Sequence, residues 1–182
     1  MLSTPSQGGS INLSRLQTFN ANLLIVFSAL IAFALDQWSK RWITTKLYFD
    51  ARCSPWCGHK ILIPGWLELA PIPNVHGAFG LFGDSKPLLV VMAVIVLFVF
   101  WWSFREAAAH SRLVCVAFGL IVGGAIGNIV DRLHYGYVID FIDFYRFPQI
   151  WRFTFNIGDS CITTGVALLF LSSVIRASRR HA

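Results

Sequence analysis

The chain has 182 residues, 55% hydrophobic and 13% charged, with a mean hydropathy of +0.61 and a formal net charge of +6. A soluble domain carries roughly 25% charged residues, so this composition excludes one and points to a single integral-membrane domain. The positive charge suits anionic lipid headgroups, and no aromatic–basic interleaving or Gly-rich phosphate loop argues for nucleic acid or a nucleotide.

Residues 1–18, rich in Ser, Gly, Pro and Gln, read as a disordered cytoplasmic tail. Four apolar runs follow and predict transmembrane helices over about 19–40, 87–104, 113–131 and 157–175, each close to the ~20 residues that span ~30 Å of hydrocarbon. Arg15 and Ala32-Phe33-Ala34 give the first run some likeness to a cleaved signal peptide. Its continuation argues for a retained helix: Asp36 and Lys40 stand four apart on one face, and Trp38 and Trp42 suit an aromatic belt.

Four spans place both termini on one side, with a short 105–112 turn carrying Arg105 and Arg112 and a basic tail at 177–182. Short loops weigh most in the positive-inside rule, so this side is read as cytoplasmic, although the longer opposite side holds more basic residues.

That longer side holds most of the extramembrane mass. Residues 60–63 and 66–69 read as short strands, with Pro64-Gly65, Pro71 and Pro73 as punctuation. Residues 137–144 are β-branched and aromatic and predict a further strand. Cys53 and Cys57 form a C-x3-C pair open to three readings: a disulfide on an oxidising side of the membrane, free thiols, or a metal site with His59. Cys115 and Cys161, inside the third and fourth runs, read as small packing residues.

Polar side chains at the ends of the last two runs carry the chemistry. Carboxylates at membrane depth cost about 2.5–3.5 kcal/mol each on insertion scales. Gly123-Gly124-x-x-Gly127 allows a neighbouring helix to approach closely. Asn128, Asp131 and Arg132 follow on one face, where Asp131 and Arg132 also read as a salt bridge at the helix end. Asn156 and Asp159 read as a capping box at the start of the fourth helix, or as part of a site with Asp140. Asp140 stands between Ile139 and Phe141, and burial favours its protonated form. Two carboxylates in contact share a proton, so that one activates water while the other donates to a carbonyl. Asp143, at an odd offset, faces away from Asp140 in a strand. Phe141, Phe144, Phe147, Trp151 and Phe153 read either as a floor for acyl chains or as ordinary interfacial aromatics.

Gly123-Gly124-Ala125-Ile126-Gly127-Asn128-Ile129-Val130-Asp131-Arg132, Gly136-x-Val138-Ile139-Asp140-Phe141 and Phe155-Asn156-Ile157-Gly158-Asp159 closely resemble the motif blocks of lipoprotein signal peptidase (signal peptidase II). Asp36-Gln37-x-x-Lys40 resembles that family's first-helix motif, and Asn74 to Phe79 its Asn-x-Gly-x-Ala-Phe block. The resemblance implies a bacterial inner-membrane aspartyl protease: a four-helix membrane bundle under a small periplasmic β-cradle with a surface helix. Its substrates would be prolipoproteins whose cysteine already carries diacylglycerol, cut just before that cysteine. By position Asp140 and Asp159 would be the catalytic dyad. Asn128, Asp131, Arg132 and Asn156 would hold dyad and substrate backbone, with Asn74, Asp36 and Lys40 behind them. No cofactor or metal is implied. Membrane lipids and the inhibitor globomycin are the other expected partners, and a monomer is the expected state.

The chain departs from the family pattern at His76, where Gly is usual, at Gly158, where Ala is usual, and in the Cys53–Cys57 insertion. His76 reads as filling a turn, or as narrowing the substrate entrance. A proton- or ion-coupled transporter is the competing membrane class; the lack of an inverted repeat argues against it. A binding protein that kept the fold is a third class, and the intact aspartate pair argues against it.

Overall fold

The computed structural model describes residues 13–47, 58–75, 86–147 and 151–180. In chain order the elements are α1 (Leu13–Lys46), β1 (Lys60–Ile63), β2 (Leu67–Asn74), α2 (Lys86–His110), α3 (Arg112–His134), β3 (Val138–Phe147), β4 (Trp151–Phe155) and α4 (Ile157–Arg180). Among the described residues, three helical stretches are long and apolar enough to cross a membrane: Asn20–Lys46, Arg112–His134 and Ile157–Arg179. Large apolar side chains such as Phe27, Leu30, Phe98 and Phe170 point away from the bundle. Lipid solvates such a surface and water does not, so the chain is a multi-pass membrane protein.

Centre of the bundle is α3, packed against α1, α2 and α4. Small residues make this possible. A Cβ on Gly119 would meet Ser28, one on Gly123 would meet Ala29 and Ala32, and one on Gly127 would meet the Asp36 carboxylate. These glycines recur every four residues and form the stripe that faces α1. Gly124 instead lies against the Gly158 carbonyl of α4, and Gly165 of α4 lies against Ala117 and Ile121 of α3. The close approach expected from Gly123-Gly124-x-x-Gly127 is therefore made toward two helices at once. Cys115 is buried and its thiol donates to the Ala108 carbonyl at 3.0 Å, which fits a packing role.

Beside the bundle lies a four-stranded antiparallel sheet in the order β1-β2-β3-β4. Pro64-Gly65 makes the β1–β2 turn: Gly65 has φ 75° and Trp66 N–H donates to Ile63 O at 3.0 Å, as a type II turn with Gly third requires. Pro71 and Pro73 do not end the strand, as expected of them, but lie inside β2. Its register against β3 shifts between Leu69 and Ile72, where Pro71 needs no ladder donor.

The sheet joins the bundle with almost no linker. Gly136, at φ 85°, lets α3 turn directly into β3, with its N–H donating to Arg132 O at 3.1 Å. On the other side, Asn156 alone separates β4 from α4.

Several expectations change. The first helix starts at Leu13, inside the stretch expected to be a disordered tail, and the last runs on to Arg180 through most of the expected basic tail. Strand β4 was not expected. The sheet supplies the cradle, but no surface helix occurs among the described residues. Cys53, Cys57 and His76 lie outside the described residues.

Candidate active site

Five elements converge where the sheet meets the bundle: α1 brings Asp36, Gln37 and Lys40; β2 brings Asn74; α3 brings Asn128, Asp131 and Arg132; β3 brings Asp140; α4 and its cap bring Asn156 and Asp159. Asp36, Lys40, Asn128, Asp131, Asp140 and Asn156 are all buried. Buried polar groups are tolerated only when hydrogen-bonded, and these side chains satisfy one another.

Asn156 links the two aspartates. Its side chain donates to Asp140 Oδ1 at 2.7 Å, and its backbone N–H donates to Asp159 Oδ2 at 3.2 Å. The Asp159 N–H returns a bond to Asn156 Oδ1 at 2.9 Å, which completes the capping box read from the sequence. The cap and the aspartate pair are thus one arrangement rather than alternatives. Asn74 donates to the other oxygen of Asp140 at 2.8 Å, and Asn128 donates to Asp159 Oδ1 at 2.8 Å. Asp140 therefore receives two side-chain donors. Even so, burial first and the nearby Asp159 charge second push its carboxyl up to about 7.

Beneath this pair lies a buried ion cluster. Lys40 Nζ stands 2.8 Å from both Asp36 Oδ2 and Asp131 Oδ2, the first being the expected four-residue pairing within α1. Gly158 N–H donates to Asp36 Oδ1 at 2.8 Å, and Ile139 N–H donates to Asp131 Oδ2 at 3.1 Å. These two bonds fasten the start of α4 and the start of β3 to the ion cluster. The expected Asp131–Arg132 salt bridge is not made; Asp131 faces α1 and takes Lys40 instead. Arg132 contacts Asn128 O through Nη1 at only 3.5 Å, and its buried Nε has no hydrogen-bond partner among the described residues.

Gln37 was missed as a site residue. It reaches Asp131 Oδ1 at 3.0 Å and Asp36 Oδ2 at 3.2 Å, tying α1 to α3. An amide beside Asp36 in an otherwise apolar helix was the available signal. Asp143 is buried and opposes Glu68 on β2 and Thr154 on β4. Its odd offset puts it on the face away from Asp140, as expected. Phe141 is buried on that same far face, so it lines no floor beside Asp140. Phe144 shares the Asp140 face, is exposed, and stacks on Phe155 at 5.9 Å. The side chains of Phe147, Trp151 and Phe153 lie outside the described residues.

The chain is similar to known proteins over most of its length. The family model for signal peptidase (SPase) II covers residues 28–175. A lipoprotein signal peptidase of Symbiobacterium thermophilum is 32% identical over 157 residues, 84% of this chain and 95% of its own length. One from Caulobacter vibrioides is 39% identical over 152 residues, 81% and 84% of the two lengths. A solved chain described as a bacterial membrane enzyme, determined in meso at 2.3 Å resolution, superposes with a TM-score of 0.66 at 27% identity, covering 88% of this chain and 91% of that one. Family, relatives and fold agree on one answer: the chain belongs to the signal peptidase II family of lipoprotein signal peptidases and is a membrane protease that removes signal peptides from prolipoproteins.

Proposed function

We propose that the protein is an aspartyl endopeptidase whose dyad is Asp140 and Asp159, and that it cleaves just before the diacylglyceryl-modified cysteine of a prolipoprotein. The observation that carries this reading is the Asn156 bridge, which holds the buried Asp140 carboxyl and the half-buried Asp159 carboxyl together through one side chain and one backbone N–H. Close carboxyls do not both ionise readily, so the pair keeps one proton near neutral pH. The ionised member takes a proton from water as that water attacks the scissile carbonyl. The protonated member gives its proton to the carbonyl oxygen, forming a tetrahedral diol. Collapse of the diol returns a proton to the leaving amine, which is the lipid-bearing cysteine. The pair titrates as a unit.

Asn74, Asn128 and Asn156 hold the carboxyls, while Asp36, Lys40 and Asp131 hold the elements that carry them. Arg132 binds substrate backbone, a role supported by its buried Nε, which lacks a partner among the described residues. In this reading the bundle has four spans, α2 included, and lies in the bacterial inner membrane with the sheet on the periplasmic face. A lipid-anchored substrate then arrives by lateral diffusion in the plane of the site. Globomycin occupies the same site as a substrate mimic, and the enzyme works as a monomer.

The test uses purified protein in detergent with one prolipoprotein in two forms, with and without the diacylglyceryl group. The expected result is release of the signal peptide from the lipidated form alone, blocked by globomycin. Equal cleavage of both forms contradicts the substrate assignment, and cleavage unaffected by globomycin contradicts the inhibitor site.

A further inference from the structure

An asparagine amide has a donor end and an acceptor end, and its place on a helix does not decide which faces a neighbour. For Asn156 the choice is made locally, because Oδ1 accepts the Asp159 N–H at 2.9 Å as a cap. Asn128 has no such backbone partner among the described residues. Its Nδ2 donates to Asp159 Oδ1 at 2.8 Å, while its Oδ1 accepts from Lys40 Nζ at 2.9 Å and from Asn156 Nδ2 at 3.1 Å. A lysine ammonium has three donors and no acceptor. Here it donates to Asp36 Oδ2 and Asn128 Oδ1 and forms an ion pair with Asp131 Oδ2 at 2.8 Å, in a side chain only 2% exposed.

We propose that Lys40 is a positioning residue for the reaction: by presenting the charged donor to Asn128 Oδ1, beside the neutral one from Asn156 Nδ2, it holds the amide polarity that aims Nδ2 at Asp159. This rests on the reading of Asp140 and Asp159 as the dyad. Reversing the Asn128 amide would set its nitrogen against the ammonium and against Asn156 Nδ2, and its oxygen against the Asp159 carboxylate, three repulsive contacts. Asp36 from α1 and Asp131 from α3 hold the ammonium in turn. Asp159 from α4, Asp140 from β3 and Arg132 from α3 are the other charges around the cluster. Two carboxylates already serve the α1–α3 ion pair; the donor that reaches Asn128 is the one directed at the site.

A double-mutant cycle on cleavage of lipidated prolipoprotein tests this, with Lys40→Met, Asn128→Ala and the pair. Lys40→Met is expected to lower kcat by about 10²-fold, the loss that misplacement of a reacting group produces, with KM changed by less than roughly twofold, since its contacts are to the dyad side. Lys40→Met is further expected to add nothing in a chain that already carries Asn128→Ala. Multiplicative losses in the double variant, or an unchanged kcat in Lys40→Met, overturn the proposal. Removing the cation leaves Asp36 and Asp131 facing one another, so thermal melting in detergent checks each variant. Where Lys40→Met melts below the assay temperature, the same cycle is read in an Asp131→Asn background, by the same criteria. Cleavage that needs Asp140 and Asp159 yet gives a multiplicative cycle removes only the role of Lys40. Absence of cleavage by the folded wild type removes the protease reading and this proposal together.

Discussion

Asp140 is the residue whose setting most changes its chemistry. Its carboxyl is pushed up to about 7 from an ordinary 3.8 by burial and by the Asp159 charge. Raising the pH through about 7 removes the proton that the dyad shares, so kcat is predicted to fall on the alkaline side with a midpoint near 7. A kcat–pH profile measured between 5 and 9 checks this, and a flat profile counts against it. The same shift has a consequence for stability. Because the folded-state value lies above the unfolded one, the contribution of Asp140 is full below about 3.8 and is lost as pH rises through about 7. The fall in Tm between pH 5 and pH 8 is therefore predicted to be shallower in Asp140→Asn than in the wild type. Asp143→Asn is predicted to keep most of the cleavage activity, because Asp143 lies on the other face of β3. Polar residues beside apolar runs are conspicuous, but it was the resemblance to the family's motif blocks that joined Asp36, Lys40, Asn128, Asp131, Asp140, Asn156 and Asp159 into one set. Partners across helices were less legible: spacing gives the face of one helix, not the neighbour it meets, and Asp131 took Lys40 rather than Arg132.

Among the elements, the contact between α3 and α4 sets where Asp159 stands. A Cβ on Gly124 would press on the Gly158 backbone, in the first turn of the helix that carries Asp159. Gly124→Ala is predicted to destabilise the protein by about 1–3 kcal/mol, the usual range for overpacking, and to lower cleavage as well. Gly158→Ala is predicted to be milder. Its Cβ would lie 3.0 Å from Asn156 Oδ1, Asp36 Oδ1 and Gly124 O, where small shifts relieve the contact. Thermal melting and initial rates on the two variants order them, and a Gly158→Ala worse than Gly124→Ala contradicts the packing account. Helices were legible because apolar runs near membrane length have few other uses. Their ends were not, since α1 extends beyond its apolar centre at both ends. Strand β4 escaped because its five residues pass into α4 through a single asparagine, leaving no turn signal to separate strand from helix.

At the scale of the whole molecule, the bundle and the sheet share one polar interior at their junction. Elements far apart in sequence are tied there by Lys40, Asn128 and Asn156. A ligand that binds only the assembled junction stabilises the fold by mass action, so globomycin at about 100 times its Kd is predicted to add roughly 2.7 kcal/mol, read as a rise in Tm that Asp140→Asn and Asp159→Asn diminish. Motif order along the chain made the junction's membership legible. The hydrogen-bond directions that turn its members into one network became visible only with the strands and helices in register. The most direct measurement of the central claim is cleavage of a diacylglyceryl-modified prolipoprotein by wild type, Asp140→Asn and Asp159→Asn, each shown to be folded, with the products identified by mass spectrometry. The account predicts a new N-terminus at the lipid-bearing cysteine with wild type, and losses of about 10³-fold or more in both variants, within the span of general acid–base catalysis. Wild-type rates in either variant would contradict it.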